Sequence, residues 1–312
     1  SGFLDLKSLM ALNRTCKANA FDELSLILFI ENEITRSRGV DTKEEAIVFC
    51  RMVYRRPLLK QWLERDNSSR AAQSITITRY KLTDAAPYEV MIAKMLKTVP
   101  TESERLELVS EQDEKGRTLL HNVTRSGNPG SIKTVLALFP ESERLKALSL
   151  KDKNGWTVLH SVVSSNHAES TKLILTSFPE SERLQAVCVV DRNGWTALHN
   201  CVANSKNPEL IKLVLSLLSE TERLQVLGMQ DRYRNTVLHS AAQSGYVEVI
   251  KTILTLCPES DRLQVLNMKN LHEQTVLHCA VDSDEIECIK TVLSHYAESE
   301  RLHAASMTDY DG

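Results

Sequence analysis

With 312 residues the chain has room for two ordinary domains, and a net charge of -3 gives no reason to expect nucleic acid or an anionic membrane as a partner. Its longest apolar run, Leu24 to Ile30 with Ser25 inside it, falls far short of the ~20 residues a membrane helix needs, so a soluble chain is expected. Seven cysteines, odd in number and without a C-x-x-C pair, fit a reducing, cytoplasmic compartment better than a disulfide framework.

Residues 1–68 read as a helical N-terminal region. Leu4, Leu6, Leu9 and Leu12 fall mostly on one helical stripe, and Phe21 through Ile34 make a second amphipathic helix that ends before Gly39. Thr42 to Glu45 is a capping box opening a third helix through Val53, and Pro57 starts a fourth over Leu58 to Leu63. The stretch from Leu4 to Lys17, with Leu6, Leu9, Leu12 and Cys16, resembles the second half of an F-box, although the first F-box helix with its Leu-Pro start is missing. That resemblance implies docking on the ubiquitin-ligase adaptor Skp1; an ordinary amphipathic helix is the competing reading.

Residues 69–106 read as a degenerate capping repeat. Glu89 to Val99 takes the place of a second helix, and Thr101 to Leu106 copies a segment that returns after every later unit. A terminal unit with one face unneighboured is expected to be atypical.

From residue 107 to 308 one frame, Asp-x-x-x-x-Thr-x-Leu-His, returns five times. It runs from Asp113 to His121, Asp152 to His160, Asp191 to His199, Asp231 to His239 and, with Asn first, Asn270 to His278. The histidines lie 39, 39, 40 and 39 residues apart. A fixed period of this size means stacked supersecondary units, none of which buries its apolar face alone. The frame closely resembles the ankyrin signature Asp-x-x-Gly-x-Thr-Pro-Leu-His, apart from the Pro. The resemblance implies an all-α ankyrin-repeat solenoid, here with extended 39-residue repeats. The turn glycine is present as Gly116, Gly155 and Gly194 and replaced by Arg234 and Glu273. Repeats four and five are therefore expected to make a different turn, since a positive φ costs a non-glycine residue on the order of 1 kcal/mol.

Each unit reads as an inner helix starting near the frame Thr, a short loop and an amphipathic outer helix. The outer stripe is Ile132, Val135, Leu136 and Phe139 in the first copy and Ile211, Val214, Leu215 and Leu218 in the third. The one extra residue falls in the Asn204 to Pro208 loop. A Glu-Ser-Glu-Arg-Leu segment follows the outer helix, as at Glu141 to Leu145 and Glu180 to Leu184. It is expected to form one extra helical turn, its Glu and Arg stacking into ladders of exposed charge that set register.

No residue pattern calls for chemistry. The five frame histidines are separated by stacking and, by the resemblance, hydrogen-bond within and between turns instead of converging on a metal. Residues 1–120 hold no histidine to activate Cys16 or Cys50, and there is no P-loop, G-x-G-x-x-G or H-E-x-x-H. No enzyme, cofactor or metal site is expected.

The resemblance implies protein recognition through the concave face and turn edge. The expected contact residues are Arg117, Trp156, Trp195 and Asn235 at the variable frame position, Arg192, Arg232 and Tyr233 at the turn tips, and Asn122, Ser161, Asn200 and Ser240 just after the histidines. Two indoles at one frame position of adjacent units would lie side by side, and Trp and Arg are enriched at binding hot spots. The long period also resembles ankyrin effectors that intracellular bacterial pathogens secrete into host cells, which implies action in a host cytosol. The start at Ser1-Gly2 and the opening of a sixth unit at 309–312 read as a fragment of a longer protein, so the array could also target an enzymatic domain outside it.

Overall fold

The computed structural model describes residues 101–204 and 206–310. The expected N-terminal helices, the F-box-like stretch and most of the degenerate repeat lie outside the described residues. Every regular element among the described residues is helical, and they fall in two compact units: 101–123 with 130–143, and 124–129 with 144–310.

In the first unit α1 (Glu102–Ser110) is opened by Thr101, whose Oγ1 accepts from the Glu104 N–H at 3.3 Å. The following helices are α2 (Leu119–Arg125), α3 (Pro129–Leu136) and α4 (Glu141–Ser149). Ile132, Val135, Leu136 and Phe139, the stripe expected from 3.6-residue spacing, are all buried, together with Leu120 and Val123.

The second unit repeats a helix triplet. Its inner helices are α5 (Val158–Ser164), α8 (Ala197–Asn204), α11 (Val237–Gln243) and α14 (Val276–Asp282). The outer helices are α6 (Ala168–Thr176), α9 (Pro208–Ser216), α12 (Val247–Leu256) and α15 (Ile286–Ser294). Each inner helix packs on the next inner helix and each outer helix on the next outer one, so the core is a ribbon between two rows. Leu159, Ile174, Leu198, Ile211, Val214, Leu238 and Ile250 line it without exposure. The extra residue of the 40-residue spacing lengthens α8 at Asn204 and does not widen the three-residue connection to α9, in which Asn207 Oδ1 caps α9 by accepting from the N–H groups of Glu209 at 3.0 Å and Leu210 at 3.4 Å.

The inserted segment is longer than the single turn expected. It forms α7 (Glu180–Cys188), α10 (Glu220–Leu227), α13 (Arg262–Leu266, entered by a 3-10 turn at Glu259–Asp261) and α16 (Glu298–Ala305). Helicity continues because apolar residues follow the Leu: Ala186 and Val187, Val226 and Leu227, and Val265 and Leu266 are buried. In the last three copies its arginine is also not part of a solvated charge ladder. Arg223 Nε–H donates to the Leu215 and Leu218 carbonyls at 2.9 and 3.1 Å, Arg262 to Leu254 and Cys257 at 2.8 and 3.3 Å, and Arg301 to Leu293 and Tyr296 at 3.2 and 3.3 Å. These carbonyls lie at the end of the outer helix, where those of Leu215 and Leu293 accept only tight-turn donors such as the Leu218 and Tyr296 N–H groups, both at 3.1 Å, and in these three copies the arginine adds a donor that caps the helix from outside.

Candidate partner-binding edge

The frame's first residue builds each turn. Asp152 Oδ1 accepts from the N–H groups of Asn154 at 2.7 Å and Trp156 at 2.9 Å, and the Asp152 N–H donates to the Trp156 carbonyl at 2.8 Å. Asp113, Asp191, Asp231 and Asn270 repeat this two-donor arrangement in their own turns. A short acceptor at this position closes a turn that would otherwise leave two N–H groups unpaired. In the second unit the turns also join one another: the Arg192 N–H donates to the Asn154 carbonyl at 2.9 Å, Arg232 to Asn193 at 3.2 Å and Leu271 to Tyr233 at 2.9 Å.

The turns of repeats four and five keep this geometry, against the expectation that losing glycine would change it. Arg234 and Glu273 sit at φ of 60° and 59°, and their N–H groups close the same turn on the Asp231 and Asn270 carbonyls at 2.9 and 3.1 Å. The side-chain acceptors and the bond to the neighbouring turn outweigh about 1 kcal/mol of left-handed strain. Gly155 and Gly194, at φ of 84° and 79°, answer to a second constraint: a Cβ would come within 3.1 Å of the Arg192 nitrogen and 2.8 Å of the Arg232 nitrogen.

Thr and His of the frame open the inner helix as a capping box with histidine in the place usually held by Glu or Gln. The Thr157 N–H donates to His160 Nδ1 at 3.2 Å, and Thr196, Thr236 and Thr275 do the same to His199, His239 and His278 at 3.3, 3.2 and 3.2 Å. Because a backbone N–H can only donate, Nδ1 accepts and the ring proton is on Nε2. There it donates to a carbonyl of the next repeat: Trp195 for His160 at 3.2 Å, Asn235 for His199 at 3.2 Å and Gln274 for His239 at 3.1 Å. His278 donates to Met307 at 3.0 Å. Burial pushes the pKa of His160, His199 and His239 below the ordinary value, with the carbonyl bonds opposing it. Both ring nitrogens are thus committed to holding one repeat on the next. Among the described residues no group of three or more His, Cys, Asp or Glu is arranged to hold a metal, and no helix is long and apolar enough to cross a membrane.

Trp156 and Trp195 are half-buried, each leaning on the following turn. Their Nε1–H groups donate to Oδ2 of Asp191 and Asp231, both at 3.1 Å, which uses the carboxylate oxygen that those turns leave over. One repeat further on the pairing changes. Asn270 replaces Asp, and its Nδ2–H donates to Asn235 Oδ1 at 3.0 Å. A tryptophan, which can only donate, faces a carboxylate, whereas an amide that can accept faces an amide that can donate.

The expected contact residues divide by exposure. Arg192, Arg232 and Tyr233 are exposed at the tips, and Asn235 and Ser240 are half-buried beside them. Ser161 and Asn200 are buried, at 4% and 1% exposure, which removes them from the surface. They fall one residue after the histidine, where the inner helix turns into the core. In the other unit Arg117 is held to its own Asp113 by Nη2 at 2.9 Å, and Asn122 is half-buried. Sequence reasoning missed the inner-helix face that lies next to the tryptophan position: Ser164, Ala203 and Gln243, four residues past each histidine, of which Ala203 and Gln243 are exposed. The signal was helical spacing, since the frame's fifth position meets the residue eight further on, as the Gln274 Nε2–H donating to Asp282 Oδ2 at 2.9 Å illustrates.

Tandem helix pairs joined by hydrogen-bonded turns, locked by a Thr-x-x-His box, define a repeat scaffold of the kind that recognises other proteins. The family model for ankyrin repeats (3 copies) matches residues 120–226, 181–262 and 217–303, together more than half of the chain, and the chain belongs to the ankyrin-repeat family. No curated protein matches it. The family match ends short of residues 4–17 and bears on neither the F-box-like stretch nor the resemblance to secreted effectors.

Proposed function

We propose that this chain recognises a partner protein through the turn edge running from the Asp152 turn to the Asn270 turn, together with the inner-helix positions Ser164, Ala203 and Gln243 beside it. The supporting observation is the pair Trp156 and Trp195, held in one orientation by the same bond to the following repeat and half open to solvent. Rigid aromatic anchors flanked by exposed Arg192, Arg232 and Tyr233 lose little freedom on binding, which is what a hot spot requires. The array itself carries no chemistry in this reading. Roles in a host cell and docking of residues 4–17 on Skp1 rest on the sequence resemblances alone, and pulldown of Skp1 with the full chain tests the second.

The test is a partner isolated with the full chain and titrated against surface variants. Replacing Trp156 and Trp195 together by Phe keeps an aromatic ring at each position and removes both indole donors. Replacing Arg192 and Tyr233 by Ala removes exposed contacts without touching the core. The latter pair is expected to weaken the partner by roughly 2–4 kcal/mol with an unchanged melting temperature, and Lys172→Ala with Lys212→Ala on the outer helices to leave it unchanged. Weakening by the outer-helix pair alone would move the site to the opposite side.

A further inference from the structure

The turn edge of the second unit is cationic at its tips. Lys153, Arg192, Arg232 and Arg234 are exposed on three successive turns, and none has a carboxylate partner among the described residues. Asp152, beside Lys153, has Oδ1 taken by the Asn154 and Trp156 N–H groups, and the acidic groups of the next two turns are spoken for. Asp191 and Asp231 are buried, each with Oδ1 taken by two backbone N–H groups and Oδ2 by an indole, while Glu273 pairs with Lys269 at 3.3 Å. Arg232 is moreover held in place, its guanidinium 5.0 Å from the Tyr233 ring centroid and donating to the Tyr233 hydroxyl at 3.0 Å. A cation whose side chain is already ordered binds a carboxylate at lower entropic cost.

The spacing of these cations narrows the partner. Successive turns are bonded to each other through Arg192 to Asn154 and Arg232 to Asn193, and neighbouring helical units stack about 10 Å apart. A chain in the polyproline II conformation advances ~3.1 Å per residue and brings every third side chain back to one face, so every third residue of it would meet the next cation. Resting on the turn edge as the partner surface, we infer that the partner presents an extended acidic segment with Asp or Glu at every third position, laid across the tips of Lys153, Arg192 and Arg232.

Two fluorescent peptides of identical composition test this against the full 312-residue chain, one with glutamate at every third position and one with the same glutamates contiguous. The spaced peptide should bind about tenfold tighter, and its advantage should fade as salt rises. Arg192→Glu and Arg232→Glu should each abolish that preference with the melting temperature unchanged, while Lys172→Glu on the outer helix should not. Equal affinity for the two peptides overturns the inferred segment. If edge variants still weaken an isolated partner in that case, the edge remains the partner surface and only its chemistry is wrong. Insensitivity of every ligand to the edge variants removes both readings. Heparin binding tighter than either peptide would make this a site for sulfated polymers and also overturn the inference.

Discussion

The turns at Asp152 and Asp191 and the turns at Asp231 and Asn270 have one shape and two chemistries. In the first pair a glycine takes the left-handed position and a tryptophan reaches the next carboxylate. In the second pair Arg234 and Glu273 take that position, and the repeat four to repeat five contact is an amide on an amide. The comparison teaches that a frame position is fixed by what it meets in the next repeat more than by its own propensity. At Gly155 and Gly194 the following turn's backbone lies 2.8–3.1 Å from where a Cβ would stand. The next turn bonds at the same place beside Arg234 and Glu273, from the Leu271 N–H to the Tyr233 carbonyl at 2.9 Å and from the Tyr310 N–H to the His272 carbonyl at 3.2 Å, and there about 1 kcal/mol of left-handed strain is tolerated.

The strongest way to break this comparison is to exchange the residues at the shared position. Gly194→Ala should destabilise by roughly 2–4 kcal/mol, combining left-handed strain with the approach to the Arg232 nitrogen. Arg234→Gly should change stability by no more than about 1 kcal/mol and in the stabilising direction, since it relieves strain and opens no cavity. Urea unfolding of the two variants measures both. Equal losses would mean that the two turns are held by the same forces after all.

Next in size is the histidine lock, which both kinds of turn share. His199→Ala leaves the Thr196 N–H without its acceptor and the Asn235 carbonyl with only the Asp231 N–H, at a cost of roughly 1–3 kcal/mol, and added zinc should not change the melting temperature of the parent chain. The same residues set a pH dependence. Burial lowers the folded pKa of His160, His199 and His239, while in the unfolded chain each titrates near 6.5. Above that value both states are neutral and the stability is fully present. As pH falls through about 6.5 towards the depressed folded value the unfolded chain takes up protons that the folded chain does not, and each histidine removes up to about 1.4 kcal/mol per pH unit. Chemical unfolding across this window should show the decline in the parent chain and a shallower one in His199→Ala.

Much of this architecture was legible in the sequence, for a physical reason. A turn acceptor, a capping box and a helical apolar stripe each act within about eight residues, so Asp152, Thr157, His160 and the stripe from Ile132 to Phe139 announce themselves locally. What stayed hidden depends on contacts with no local trace. The carbonyls that Arg223 caps lie only five and eight residues back, but across a change of helix direction that the spacing does not reveal, so the repeated Arg looked like one member of a surface charge pair. Arg234 looked incompatible with its turn because the bond from the Leu271 N–H to the Tyr233 carbonyl comes from the next repeat. On the candidate edge the turn tips were found, but Ser161 and Asn200 were placed on the surface because the rotation of the inner helix is set by packing on its neighbours. Counting from the buried Leu159 and Leu198 would have pointed to Ser164 and Ala203 instead.

The smallest expected effect is the most direct on the pairing rule itself. Asn270→Asp puts a carboxylate oxygen opposite Asn235 Oδ1, where an amide donor stood at 3.0 Å, and unless the Asn235 amide turns round two acceptors face each other. The loss should be about 1 kcal/mol. Asn235→Trp alone places an indole donor against Asn270, whose Oδ1 already accepts from the His272 and Gln274 N–H groups at 2.8 and 3.0 Å, and it too should cost about 1 kcal/mol. Together the two substitutions rebuild the Trp195–Asp231 arrangement one repeat later, so the double variant should recover most of both losses, a coupling of about 1 kcal/mol in a double-mutant cycle. Additive losses would mean that the donor and acceptor match across repeats is incidental, and that the change of residue at Asn235 and Asn270 has another cause.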